Sequence, residues 1–149
     1  MRQRMRMFSA ALALAAASLA ACATDPAKRD ADNLALYSAH AGAPVREFRY
    51  FGSINRWTPL GDEALVVWTK PSEAWLLDLS GPCSDLEYAP AIGLTHTFNT
   101  VSARFDKVLV HGRSNIQMPC QIAQIRPLDV KALKQARREA RENAQASGT

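Results

Sequence analysis

Ala64-Leu65-Val66-Val67-Trp68-Thr69, Lys70-Pro71-Ser72-Glu73 and Ala74-Trp75-Leu76-Leu77-Asp78-Leu79 are the three consecutive pieces that decide the fold. The first is apolar at successive positions, so it reads as a strand covered on both faces. The second is a four-residue connection with Pro where a type I turn accepts it. The third returns as a strand, and together they predict a hairpin in which Trp75 faces Trp68. Working outward, Arg46 to Phe51 is β-prone and half polar, and Asn33-Leu34-Ala35-Leu36-Tyr37 starts a short helix that Gly42 and Pro44 end. Downstream, Ser80-Gly81-Pro82 breaks the second strand, and Ser84-Asp85-Leu86-Glu87 matches a capping box for one or two helical turns before Pro90. Ala91 to Thr95, Phe105 to His111 and Cys120 to Arg126 read as further strands, with a turn at Gly112-Arg113-Ser114-Asn115. Asp129 is placed to cap a terminal helix that carries Val130, Leu133, Ala136 and Ala140 at helical spacing. The expected fold is mainly β, α+β at the margin. It is a rolled antiparallel sheet or small barrel of five to six strands, with a short helix after Cys83 and a C-terminal helix.

The chain has 149 residues, enough for one domain and too few for a two-domain cofactor enzyme. Lys and Arg number 18 against 14 Asp and Glu, a formal charge of +4. Arg2, Arg4 and Arg6 lie in residues 1–21, which read as a signal peptide. Without them the balance from Cys22 onward is 15 basic to 14 acidic residues, +1. The apolar run Phe8 to Ala20 is 13 residues long, short of the roughly 20 that a spanning helix needs. It reads as the hydrophobic region of an export signal, with no consecutive Arg pair for the twin-arginine route.

That run ends in Leu19-Ala20-Ala21-Cys22, which resembles the lipobox of bacterial lipoproteins. The resemblance implies that Cys22 becomes the N-terminus and carries a diacylglycerol thioether and an amide-linked acyl chain, an effectively permanent anchor. Ala21-Cys22-Ala23 also fits ordinary signal cleavage. The residues after the Cys in such lipoproteins steer sorting. Ala23 and Thr24, with Asp25 one place late for inner-membrane retention, imply the periplasmic face of the outer membrane, the inner membrane being the runner-up. Residues 22–44 are expected to hold the lipidated Cys and a tether, flexible over the polar stretch 23–33. Residues 45–130 form the β-rich domain, and 131–149 a basic helix or tail.

With Cys22 engaged by lipid, Cys83 and Cys120 form an even pair in an oxidising compartment and predict a disulfide. Zinc spacing is absent and a redox pair would sit closer in sequence. The stretches Trp57…Asp62…Val66-Val67-Trp68-Thr69, Trp75 to Leu79 and Cys83-x-x-Leu86 resemble a family of small uncharacterised proteobacterial envelope lipoproteins. Phe105-Asp106-Lys107-Val108 and Pro119 to Asp129 are similar to the same family, so the likeness covers about residues 50–130. It implies one fold unit held by the disulfide and supplies no activity and no catalytic residue.

The chain carries no clear catalytic signature. His40, His96 and His111 read as loop or surface residues, and the disulfide leaves no free thiol for a Cys/His pair. Ser114 lacks a nucleophile-elbow frame, and no glycine pair has phosphate-loop spacing. Asp62, Asp78 and Asp106 sit at turns or strand edges, where a carboxylate serves the turn rather than glycoside hydrolysis. No enzyme, no cofactor, no metal and no nucleic-acid partner is expected. Trp68 and Trp75 read as core, leaving Trp57 as the residue to consider for stacking on a sugar. Lys131, Lys134, Arg137, Arg138 and Arg141 against Glu139 and Glu142 give the tail a charge of +3, suited to anionic lipid or an acidic partner. The expected role is a lipid-anchored, non-enzymatic interaction or accessory protein of the envelope. The alternative is a small-ligand or glycan module using Trp57 and the loop Thr95 to Thr100.

Overall fold

The computed structural model describes residues 25–112 and 117–147. The signal peptide, Cys22 and most of the turn expected at 112–115, Ser114 included, lie outside the described residues. The chain order is α1 (Pro26–Ala39), β1 (Glu47–Arg49), β2 (Arg56–Pro59), β3 (Ala64–Lys70), β4 (Glu73–Leu79), a 3-10 turn (Leu86–Tyr88), β5 (Ala91–Leu94), β6 (Thr100–Ser102), β7 (Lys107–His111), β8 (Gln117–Pro127) and α2 (Val130–Ser147). Six strands form one antiparallel sheet in the order β2-β3-β4-β8-β7-β5, curled into a half-barrel, and β1 pairs with β6 as a separate ribbon. The fold is mostly β, as expected. The sheet is larger than five strands because β2 contributes an edge, and the ribbon adds two strands more.

The β3–β4 hairpin is tighter than the sequence suggests. Lys70 pairs with Glu73, so the loop is Pro71-Ser72 alone. Alternation along the two strands then supplies two cores. Leu65, Val67, Leu77 and Leu79 face the inside of the curl with Ile122, Ile125, Val108 and Val110, roofed by Phe48 and Val101 of the ribbon. Ala64, Val66, Trp68, Ala74 and Leu76 face the other way, onto Tyr37 of α1 and Val130 and Leu133 of α2. The register pairs Trp68 with Ala74 and Trp75 with Val67. Trp68 and Trp75 therefore sit on opposite faces of the sheet and do not meet, because successive strand residues alternate sides.

Three local features differ from the sequence reading. The stretch expected to be a flexible tether is helical from Pro26, with Asp25 as cap accepting from the Ala27 N–H and Pro at the first helical position. Tyr37, 1% exposed, docks that helix on the outer core. The capping box at Ser84 does not form. Asp85 occupies the cap position at φ 62 without a side-chain cap bond, and only the 3-10 turn follows. At α2 the expected cap is present, the Ala132 N–H donating to Asp129 Oδ1 at 2.9 Å.

β8 changes partner along its length. Residues 122–127 pair with β4 and residues 117–121 pair with β7, with a register shift between Asp78 and Leu79. Next to the shift Arg126 bridges to Asp78, Nε to Oδ2 at 3.1 Å and Nη2 to Oδ1 at 3.2 Å, both side chains mostly buried. A two-point charged pair of this kind is costly to break from one side, since the partner charge stays buried. Asp78→Asn and Arg126→Gln should each lower the urea-unfolding free energy by ~1–2 kcal/mol. The double variant should lose little more than either alone, and full additivity would show the pair to be uncoupled.

Candidate functional site

The β1–β6 ribbon leaves a cleft on each side of itself. The first, about 430 Å³, lies between β1 and the closed end of the β3–β4 hairpin. Its floor is aromatic: Phe48 and Trp75 stack with ring centroids 4.9 Å apart and planes at 16°. Strand alternation dictates this, because Trp75 shares its face with Leu77 and Phe48 is the inward residue of a three-residue strand paired to Val101. Arg49, Phe51 and Lys70 line the rim.

Beyond the paired residues the ribbon continues. The Tyr50 N–H donates to the Asn99 carbonyl at 2.8 Å, so Phe51 and Phe98 are each next in chain to one of the bonded residues. Both are exposed, Phe51 by 70% and Phe98 by 92%. Thr97 and Thr100 exchange backbone hydrogen bonds around Phe98-Asn99. Those two residues have φ of 49° and 58°, the left-handed pair that a two-residue hairpin turn requires. An aromatic residue held there costs ~1–2 kcal/mol relative to ordinary backbone. Tyr50 is buried, edge-on to His96 with ring centroids 5.2 Å apart, and burial pushes its hydroxyl pKa up.

Glu73 closes one wall of the cleft. The Thr69 hydroxyl donates to its Oε1, and Lys70 Nζ lies 3.1 Å from its Oε2. The Thr69 bond first, then Lys70, hold the Glu73 carboxyl below its ordinary value. A depressed folded-state pKa adds stability above the unfolded value, and that stability fades as pH falls through the folded one. Glu73→Gln should therefore leave the melting temperature at pH 7 lower than that of the parent. The two curves should converge below about pH 4. A gap that stays constant between pH 7 and pH 3 would deny the linkage.

The second cleft, about 520 Å³, lies between the ribbon and β8 where the register shifts. Val45, Ala103 and Ala123 give it apolar walls, Phe105 stands at its rim 82% exposed, and Arg46 and Arg104 line it from two segments. Those segments are tied together, the Ala103 N–H donating to the Arg46 carbonyl at 2.9 Å and the Arg104 N–H to the Ile122 carbonyl at 2.7 Å. Arg104 is held at φ 69°.

The other sequence candidates fall in plain positions. Cys83 and Cys120 are bridged, their Cα atoms 5.7 Å apart. Trp57 pairs with Val67 on β2 and packs half-buried against the inner core, lining neither cleft. The residue with an indole in a cleft is Trp75. Asp106 is buried and satisfied, accepting from the Thr95 hydroxyl and the Ser102 N–H at 2.7 Å each. Asp78 holds Arg126, and Asp62 lies exposed in a turn, so the three carboxylates serve separate structural tasks. Of the basic tail, Lys131, Lys134, Arg138 and Arg141 are exposed. Arg137 instead lies over the Tyr37 ring at 4.8 Å and donates to its hydroxyl. Among the described residues no group of three His, Cys, Asp or Glu is placed to hold a metal, and no helix is long and apolar enough to cross a membrane.

A family model described as a family of unknown function, DUF6491, matches residues 5–144. No curated protein and no solved structure matches the chain.

Proposed function

The chain belongs to the DUF6491 family of unknown function, and we propose that it is a lipid-anchored envelope protein that acts by contact rather than by catalysis. The anchor rests on Leu19-Ala20-Ala21-Cys22 behind a short apolar leader. The bridge between Cys83 and Cys120 supports an oxidising compartment. Ala23 and Thr24 favour the periplasmic face of the outer membrane. Because α1 begins at Pro26, only three residues separate its first turn from the lipidated Cys, and the domain sits close to the bilayer. The exposed cations Lys131, Lys134, Arg138 and Arg141 then add attraction to anionic head groups.

The observation that carries the contact reading is the pair Phe51 and Phe98. Two large apolar side chains stand in solvent, Phe98 on left-handed backbone and Phe51 on the rim of a cleft with an aromatic floor. Exposed aromatics beside a cleft are the usual anchors of an interface, and strain of this sort persists where it serves a contact. A photo-reactive residue at position 51 or 98, activated in intact membranes, should give a discrete protein adduct that the same group at exposed Tyr88 does not. An identical ladder from all three positions would reject the surface.

A glycan reading is favoured by one feature, the Phe48–Trp75 stack that floors the first cleft. It moves the sugar platform from Trp57 to Trp75. Peptidoglycan fragments should then quench tryptophan fluorescence in the parent and in Trp57→Ala but not in Trp75→Ala. A flat titration of the parent protein would dismiss it.

A further inference from the structure

We propose that the second cleft, beside β8, binds a monoanionic amphiphile: a carboxylate or phosphate carrying a short apolar chain. Its volume of about 520 Å³ lies within the usual range for small-molecule sites, which pair mostly apolar walls with a few placed polar groups. Val45, Ala103 and Ala123 supply the apolar walls, and Arg46 and Arg104 supply the polar groups. Neither guanidinium has an ion-pair partner among the described residues. Glu47 is the only carboxylate along the lining, so the wall keeps a net positive charge that suits one negative charge better than two. Arginine is also the side chain that grips a carboxylate or phosphate through two parallel N–H donors.

The backbone adds a second argument. Position 104 has left-handed φ, where Gly or Asn is the ordinary occupant and a long side chain is strained. The neighbouring bonds from Ala103 to Arg46 and from Arg104 to Ile122 hold the two arginine-bearing segments against each other and against β8. Arg104 sits in the turn between β6 and β7, which the Phe105 and Asp106 N–H groups close on the Ser102 carbonyl, and this turn holds it in the lining of the cleft with Arg46. Phe105 at the rim, 82% exposed, would gain cover from the apolar chain of a bound ligand. This site is separate from the Phe51 and Phe98 surface, and either reading survives the failure of the other.

The test is calorimetric titration of the full chain carrying Cys22→Ala, so that no acyl group of its own reaches the cleft. The probes, at about pH 5.5 where a phosphate monoester carries mostly a single charge, are decanoate, decyl phosphate, decanol and inorganic phosphate. Decanoate and decyl phosphate should bind one to one, and decanol and inorganic phosphate at least tenfold more weakly. Arg46→Gln and Arg104→Gly should each weaken decanoate by about tenfold, the loss expected of a charged hydrogen-bonding partner. Arg104→Gly separates function from folding, since glycine relieves the backbone and the melting temperature should hold or rise while affinity falls. Should that variant unfold, Arg104→Asn, compatible with the same backbone, replaces it. Equal binding of decanol would remove the anion from the proposal, and equal binding of inorganic phosphate would remove the chain. Absent binding of decanoate, or unchanged binding in both arginine variants, would overturn it.

Discussion

Reducing the Cys83–Cys120 bridge, or replacing it by Cys83→Ala with Cys120→Ala, should lower the unfolding free energy by ~3–4 kcal/mol, the chain-entropy value for a loop of this span. A domain of this size holds ~5–15 kcal/mol in all, so the change is among the largest that the molecule offers. The location explains why the loss should also be uneven. Cys83, 1% exposed, belongs to the inner core beside Leu86. Cys120 sits on the part of β8 that has left β4 and pairs with β7. The bridge therefore ties the connection after β4 to the far half of the curl. Without it, β5 and β7 keep the β5–β7 and β7–β8 ladders and their share of the core. Hydrogen exchange in the reduced protein should speed up first at Ile92, Val108 and Val110, while Val66 and Leu76 in the hairpin keep their protection. Uniform acceleration across all strands would show that the bridge acts on the unfolded chain alone. A loss below ~1 kcal/mol would show that the sheet needs no bridge.

What could be read in the sequence follows a physical boundary. The β3–β4 hairpin, β7, the second half of β8 and the Asp129 cap were legible because burial and backbone preference agree there. Val66, Leu76 and Ile125 are apolar, β-compatible and buried together. The start of α1 was missed even though Asp25-Pro26 is a good cap and first-turn pair. The following Ala27-Lys28-Arg29-Asp30 lacks an apolar stripe, and the residues that dock the helix, Tyr37 with Leu34 and Leu36, all lie in its last two turns. The capping box at Ser84 failed because Cys83 is committed to the bridge and its N–H to the Asp62 carbonyl. That pins the chain before a regular first turn can form. An unbroken hairpin register sets Trp75 opposite Trp68 and places both in one core. The bulge between Trp68 and Lys70 offsets the register by one residue, which sets Trp75 opposite Val67 and turns it to the inner face. The two clefts were not legible at all. Phe98 and Arg104 occupy left-handed positions that no residue preference announces, and Arg46 meets Arg104 only through a ribbon pairing across more than fifty residues.

The two tryptophans of the hairpin should separate stability from contact. Trp68 is 1% exposed, meets Tyr37 edge-on at 6.0 Å and has the Arg56 guanidinium over its ring at 4.2 Å. Trp68→Ala empties the centre of the outer core and should cost ~3–5 kcal/mol, or ~10–20 °C in melting temperature for a domain of this length. It should also free α1, whose docking depends on Tyr37. Trp68→Phe should cost much less, because the buried Trp68 Nε1 has no hydrogen-bond partner to lose among the described residues. Trp75 is only partly buried, with one ring face on Phe48 and a border on the first cleft. Trp75→Ala should cost ~1–2 kcal/mol, since truncating a half-exposed ring leaves a surface dent rather than a sealed cavity. Its larger effect should fall on the adduct formed from Phe51 and Phe98 in membranes. The measurement is a pair of thermal scans beside a pair of cross-linking gels. If Trp75→Ala melts as early as Trp68→Ala, its ring is core and the cleft above it is no contact surface. A small thermal loss together with a vanished adduct would assign Trp75 to the partner, because a ring buried for packing alone cannot be removed so lightly.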